Sequence, residues 1–163
     1  DIGLMQEIGK EFARIFADAG INKILTIEAS GIAIASIAAQ YFGNVPVVFA
    51  KKAKSKNLDG SLYTSVVHSY TYGKDFNVTL SQKFLGPQDN VLVIDDFLAS
   101  GKAMKGLLDI CGQAGCKVAG IGICIEKGFQ NGGRELREQG YKVASLAIVD
   151  HFNEDDTLTF REQ

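Results

Sequence analysis

One stretch constrains this chain more than any other: Val91-Leu92-Val93-Ile94-Asp95-Asp96-Phe97-Leu98-Ala99-Ser100-Gly101-Lys102-Ala103. Four consecutive apolar residues without alternation read as a strand covered on both faces. They deliver two adjacent carboxylates to the strand end. The small-residue turn that follows opens a helix, so backbone N–H groups and the positive end of the helix dipole converge on one point. Small side chains let an anion come close to that backbone. The carboxylates can accept hydrogen bonds from vicinal hydroxyls, and acid pair and anion cradle together suit a sugar phosphate. An apolar strand ending in Asp also occurs in P-loop NTPases, but those require G-x-x-x-x-G-K-[ST]. Here Gly101-Lys102 is followed by Ala103, and Asp96 stands five positions before Gly101, so that reading is rejected. A purely structural strand end has no need of two neighbouring acids, whose repulsion raises one pKa.

The rest of the chain alternates helix and strand around this stretch. Leu4, Met5, Ile8, Phe12, Ile15 and Phe16 recur at helical spacing and Gly20 is placed to end that helix. Residues 21–27 read as a buried strand, 30–42 as an apolar helix and 45–50 as a second strand. Two polar, strand-like runs follow at 61–72 and 75–82, joined at Gly73, which predicts an exposed antiparallel hairpin. Strand 91–95, helix 102–113 ending at Gly115, strand 117–126, helix 134–139 ending at Gly140 and strand 142–149 come next, with a short strand near 158–160. The pattern predicts an α/β fold: a mostly parallel sheet flanked by helices, with right-handed crossovers. Ligands of such sheets bind beyond the carboxyl ends of the strands.

With 163 residues, one domain is the default. A net charge of −2 argues against a general nucleic-acid binder, which needs a strong basic patch. No apolar run is long enough to span a bilayer as a helix. Cys111, Cys116 and Cys124 are odd in number and form no C-x-x-C pair, which reads as reduced thiols and a cytoplasmic setting. The chain opens at Asp1 and enters a helical pattern at once, so a segment is expected upstream.

The stretch from Val91 to Ala103 closely resembles the signature of type I phosphoribosyltransferases for 5-phosphoribosyl-1-pyrophosphate (PRPP). The resemblance extends over nearly the whole chain in element order and motif placement. It implies the type I phosphoribosyltransferase fold over 1–163, with 51–82 as a flexible arm, 150–163 as part of a small hood, and the N-terminal hood segment lying before Asp1. It implies that Asp95 and Asp96 face the ribose hydroxyls, and that Ala99, Ser100, Gly101, Lys102 and Ala103 bind the 5′-phosphate. The family branch that uses hypoxanthine and guanine has Asp where this chain has Ala99, which argues against that branch and leaves the general base unassigned.

Three further strand ends fit the resemblance. Ser30 and Gly31 in Thr26-Ile27-Glu28-Ala29-Ser30-Gly31-Ile32 are good helix starters; a simple N-cap explains them on residues alone. In the family this is the pyrophosphate loop. It often holds a strained peptide bond, and it implies that Ala29, Ser30 and Gly31 hold the leaving group while Glu28 orients the loop. Lys54 and Lys56 read as solvated surface, whereas the family places a basic residue after this strand on pyrophosphate; Lys52 is the candidate and Lys51 its competitor. In the arm, Ser69 and Tyr70 are candidates and His68 reads as a surface residue. Ile125-Glu126-Lys127-Gly128-Phe129 resembles the xanthine-specific branch, in which Lys127 would donate to a 6-oxo group and Phe129 would stack on the base. His151 and Phe152 have no assigned role.

The resemblance thus implies purine salvage from PRPP and xanthine. It implies Mg²⁺ held mainly through the pyrophosphate, no protein metal cage, and a homodimer. Two alternatives stay open: a PRPP-binding purine regulator without catalysis, and a transferase for guanine, hypoxanthine or adenine.

Overall fold

Alternating burial along one central strand organises the molecule. The computed structural model describes residues 1–53, 61–69 and 74–162, with backbone only for 53, 68, 69, 74 and 75. Strand β5 (Asn90–Leu98) sends Val91 and Val93 to one face and Leu92 and Ile94 to the other, all four fully buried. Burying each contributes about 1.5–3 kcal/mol. On the first face lie helices α3 (Lys102–Ala114) and α4 (Gly132–Glu138), with Met104, Leu107, Ile110 and Leu136 in the core. On the second lie α1 (Ile2–Ile15) and α2 (Ser30–Tyr41), with Phe12, Ile34, Ala35 and Ala38.

The other strands are β1 (Lys23–Ile27), β2 (Val47–Ala53), β3 (Leu62–Ser69), β4 (Lys74–Ser81), β6 (Lys117–Lys127), β7 (Val143–Phe152) and β8 (Leu158–Phe160). They form one eight-stranded sheet in the order β3-β4-β2-β1-β5-β6-β7-β8. Pairing is parallel from β2 through β1, β5 and β6 to β7. It is antiparallel at both edges, β2–β4–β3 on one side and β7–β8 on the other. The fold class read from the sequence is the one observed.

Three strands outrun their expected ends because each finds a partner there. Strand β2 continues to Ala53 because Lys51 and Lys52 pair with Thr79 and Val78 of β4. Strand β5 continues past Asp95 because Phe97 and Leu98 pair with Ile125 and Glu126. Strand β7 reaches Phe152 because β8 pairs with it at Leu158–Phe160. Asp95 therefore lies three residues inside its strand.

The β3–β4 hairpin is not the wholly exposed excursion that its polar composition suggested. Val67, Val78 and Leu80 are buried in the core cluster that contains α3, and a Cβ on Gly106 of α3 would come 2.7 Å from Val67 Cγ2. Lys54, Lys56, residues 57–60, Tyr70 and Gly73 lie outside the described residues, as do the side chains of His68 and Ser69.

Helix α1 docks through two aromatic rings set over two glycines. A Cβ on Gly120 of β6 would lie 2.2 Å from Phe16 Cε1, and one on Gly122 would lie 3.0 Å from Phe12 Cε1. Gly112, inside α3, has open space around it. We expect Gly120→Ala to destabilise the fold by about 2 kcal/mol through overpacking. Gly112→Ala should stabilise it by roughly 0.5–1 kcal/mol through helix propensity. Urea melts of both variants check the opposite signs.

Candidate active site

Parallel pairing brings the ends of β1, β2, β5 and β6 to one edge. Residues 98–101 leave β5, and the concavity there, about 130 Å³, is lined by Asp95, Ala99, Ser100, Gly101, Lys102 and Ala103 among others. Gly101 caps α3 with φ +78 and makes no side-chain capping bond. Left-handed geometry there favours glycine. It also lets the backbone approach Gly132 of α4, whose Cα lies 3.1 Å from the Cβ position of Gly101.

The two acids occupy different environments. Asp95 is buried and Asp96 half-exposed. Asp95 Oδ1 accepts from Asp96 N at 3.0 Å, and Asp96 Oδ1 from Phe97 N at 2.9 Å. Burial, then the neighbouring Asp96 charge, push Asp95 up to about 7, against a weaker pull downward from Lys52. In the adjacent strand, burial and the charges of Asp96 and Asp95 push the Cys124 thiol up to about 11. All three cysteines are free of disulfide bonds.

The β1–α2 loop faces this pair. Gly31 is buried, and a Cβ there would sit 2.1 Å from Thr26 Oγ1 and 3.3 Å from Asp95 Oδ1. Ala29 and Ser30 are exposed. Ser30 does not act as the cap that its residue type suggested. Ala29 holds that position, without a side-chain hydrogen bond, so no side chain takes the amides of the first turn. The Glu28–Ala29 peptide is cis. The Glu28 carboxylate accepts from Lys52 N at 2.6 Å, which ties the loop to β2.

The competition between the two lysines has a geometric side. Lys52 Nζ lies 5.7 Å from the Phe76 ring centroid, and its charge is felt at Asp95. Successive strand residues point to opposite faces. Lys51 lines a different groove, with Phe49, Thr79 and Phe84.

At the end of β6, Lys127 Nζ stands 6.0 Å from the Phe97 ring centroid. Phe129 meets Phe152 edge-on, with centroids 5.6 Å apart, and both rings are exposed. Glu126, just before Lys127, pairs with Leu98 at the start of the β5–α3 loop, and Phe129 lines a separate cavity of about 690 Å³ with Glu126, Arg134 and Arg137 among others. Phe97 was not singled out in the sequence, and Phe152 was noted there without a role. Phe97 is exposed near the end of β5, and Phe152 is placed by the extension of β7. Gly132 was also missed: a Cβ there would lie 2.4 Å from Ala99 O and 2.6 Å from Gly101 N. Its only signal was the pair Gly132-Gly133 at a helix start.

Among the described residues there is no cluster of three or more His, Cys, Asp or Glu that could hold a metal, and no helix is long and apolar enough to cross a membrane.

This geometry defines a phosphoribosyltransferase. Residues 3–158 match the phosphoribosyl transferase domain, and the chain belongs to that family. It is 58% identical over 162 residues to the xanthine phosphoribosyltransferase of Bifidobacterium longum, covering 99% of this chain and 84% of that one. It is also 58% identical to the xanthine phosphoribosyltransferase of Lachnoclostridium phytofermentans, over 99% of this chain and 83% of that protein. Among solved structures it is similar to APRTase from Giardia lamblia complexed with 9-deazaadenine, with a TM-score of 0.79 and 25% identity over 93% of this chain and 82% of that one. Adenine phosphoribosyltransferase from Thermoanaerobacter pseudethanolicus shares the fold with a TM-score of 0.78 at 21% identity, over 91% of this chain and 81% of that one.

The Asp95 carboxyl has a folded-state pKa of about 7, above the ordinary 3.8. The folded state therefore holds this proton more tightly than the unfolded chain. The resulting stability is full below about pH 4 and is lost as pH rises through about 7. Relative to Asp95→Asn, the wild type should lose on the order of 3 kcal/mol between those limits. Denaturant titrations at stepped pH check this; parallel curves for the two proteins would contradict it.

Proposed function

We propose that this chain transfers a 5-phosphoribosyl group from PRPP to xanthine, giving xanthosine 5′-monophosphate and pyrophosphate. The observation that carries this reading is the convergence at one sheet edge of the acid pair, the two uncapped helix starts and Lys127. Relatives at 58% identity over 99% of the chain support the choice of base.

In this reading, main-chain amides of Ala99, Ser100, Gly101, Lys102 and Ala103 hold the 5′-phosphate in the β5–α3 concavity. Asp95 and Asp96 accept hydrogen bonds from the ribose hydroxyls. Amides of Ala29, Ser30 and Gly31 hold the departing pyrophosphate, with Lys52 adding positive charge. The C1′–O bond to pyrophosphate breaks, and base N9 forms the new bond to C1′. The protein aligns the partners and stabilises the separated charge. No described side chain is assigned as the base that takes the proton of the purine.

Two adjacent carboxylates facing a diphosphate site suit a magnesium ion that keeps most of its water and takes other ligands from the substrate. Bound there, the ion neutralises the leaving group. Residues 51–82 act as the arm and residues 150–163 as part of the hood; both keep water from the reacting sugar. We also propose a homodimer working in the cytoplasm.

Base choice rests on Lys127. An ammonium donates to the 6-oxo group of xanthine, whereas the 6-amino group of adenine offers no acceptor, so a site built around this donor rejects it. Phe129 and Phe152 supply apolar faces for the ring. The likeness to the adenine phosphoribosyltransferase structures is one of fold.

A spectrophotometric assay with PRPP, Mg²⁺ and each purine in turn tests the reading. Xanthine should turn over well above guanine, hypoxanthine and adenine. PRPP binding without turnover of any base would overturn it in favour of a regulator. Lys127→Ala should raise the KM for xanthine by at least about tenfold and leave that for PRPP near wild type. Asp96→Asn should do the reverse.

A further inference from the structure

The side of β6 opposite Lys127 carries a polar cluster with no role in the reading above. Glu126 is only 2% exposed. Its two oxygens accept from Arg137 Nη1 at 2.9 Å and Nη2 at 2.7 Å, and Ser145 Oγ donates to Oε2 at 2.5 Å. Arg137 stands on α4 and Ser145 on β7. Burial raises the pKa of Glu126, but the bonds from Arg137 and Ser145 outweigh it and hold the carboxyl below its ordinary range. An isolated buried carboxylate is expensive, so the fold keeps this one only with its donors in place.

The cluster touches the start of α4 at backbone level. A Cβ on Gly133 would lie 2.0 Å from Glu126 Oε1, while one on the preceding Gly132 would lie 2.6 Å from Gly101 N. Gly132 N also donates to Ala99 O at 3.1 Å. One helical turn is therefore pressed on one side against the carboxylate beneath Lys127 and on the other against the β5–α3 loop. Lys105–Glu135, at 2.6 Å, fastens α3 to the same turn. A second pair, Arg161–Asp150 at 2.5 Å, backs Gly128 immediately after Lys127.

We propose that Glu126 is a positioning residue for both halves of the site: it fixes the strand that presents Lys127 to the base and, through Gly133 and Gly132, sets the loop that receives the 5′-phosphate. This rests on the phosphoribosyl-transfer reading. Glu126 touches neither substrate; it acts through the backbone on either side. A misplacement of the order of an ångström at such a site is enough to cost about 100-fold in rate.

Steady-state kinetics on the full chain, with xanthine and PRPP varied separately, test it. The variants are Glu126→Gln, which removes the charge but not the volume, and Ser145→Ala, which removes one donor. Glu126→Gln should raise both KM values by about fivefold or more and lower kcat by at least about tenfold. Ser145→Ala should move the same constants in the same direction by about two- to threefold, and the double variant should be little worse than Glu126→Gln alone. A merely structural role would lower the melting temperature and the active fraction and leave both KM values in place. A folded Glu126→Gln with unchanged KM values, or with only the xanthine KM raised, overturns the proposal. If that variant does not fold, a folded Ser145→Ala with neither KM altered does so. A wild type that never turns over with PRPP and any purine instead sinks the transfer reading, and the positioning claim with it. That pattern differs from an active wild type with indifferent variants.

Discussion

Parallel pairing among β1, β2, β5 and β6 determines where the polar chemistry of this molecule lies. In a parallel sheet every strand delivers its following loop to the same edge. The registers Leu25–Val93, Ile27–Ala50 and Leu98–Glu126 align four such ends across the sheet. Helices cover both faces, so the interior is mostly apolar, and the acids and lysines of the candidate site stand toward that edge. Among the buried acids, Glu126 and Asp89 are paired with Arg137 and Lys23, and Asp95 measures the constraint. It is buried beside a second carboxylate, and its proton is held up to about pH 7 as a result. A fold selected for stability alone would place an apolar residue there. On the transfer reading, the cost is offset when ribose hydroxyls and a hydrated cation meet the pair.

Much of this was legible in the primary structure, and the reason is local. An unbroken Val-Leu-Val-Ile run, a change to small residues and then a helical pattern specify a strand, a turn and a helix without reference to anything distant. The same holds for the β1–α2 loop and for the end of β6. The strand boundaries were less legible. Whether β5 stops at Asp95 or at Leu98 depends on Ile125 and Glu126, roughly thirty residues away, lying alongside. The extension of β7 to Phe152 likewise depends on Leu158 and Phe160. Pairing at a sheet edge is a tertiary fact that overrides local preference.

The glycine contacts were the least legible part. Nothing in Gly132-Gly133 states that one glycine abuts the β5–α3 loop and the other a buried carboxylate. Periodicity and composition report on side chains, and these positions matter because a side chain is missing. The same applies to Gly120 and Gly122, which admit Phe16 and Phe12. Glu126 escaped notice for a related reason. Between an apolar strand and a functional lysine it read as part of a motif, and its burial with Arg137 and Ser145 emerged only from the packing of α4 on β7.

The division between backbone and side chain also locates specificity. The loops after β1 and β5 present amides at uncapped helix starts. Amides hold phosphate oxygens in the same way whatever base the sugar is to receive. On the transfer reading, the acid pair accepts from hydroxyls of the ribose, which every phosphoribosyl donor carries. Neither feature distinguishes one purine from another. On the same reading, selection comes from side chains that reach the ring, for which Lys127, Phe129 and Phe152 around the end of β6 are the candidates. Of these, only Lys127 can donate a hydrogen bond in a fixed direction. A one-sided contact of this kind discriminates sharply, because a base without the matching acceptor leaves an ammonium partly desolvated and unpaired. The position of that ammonium must then be held closely, so a buried, triply bonded carboxylate in the preceding residue is where the fold would spend its rigidity.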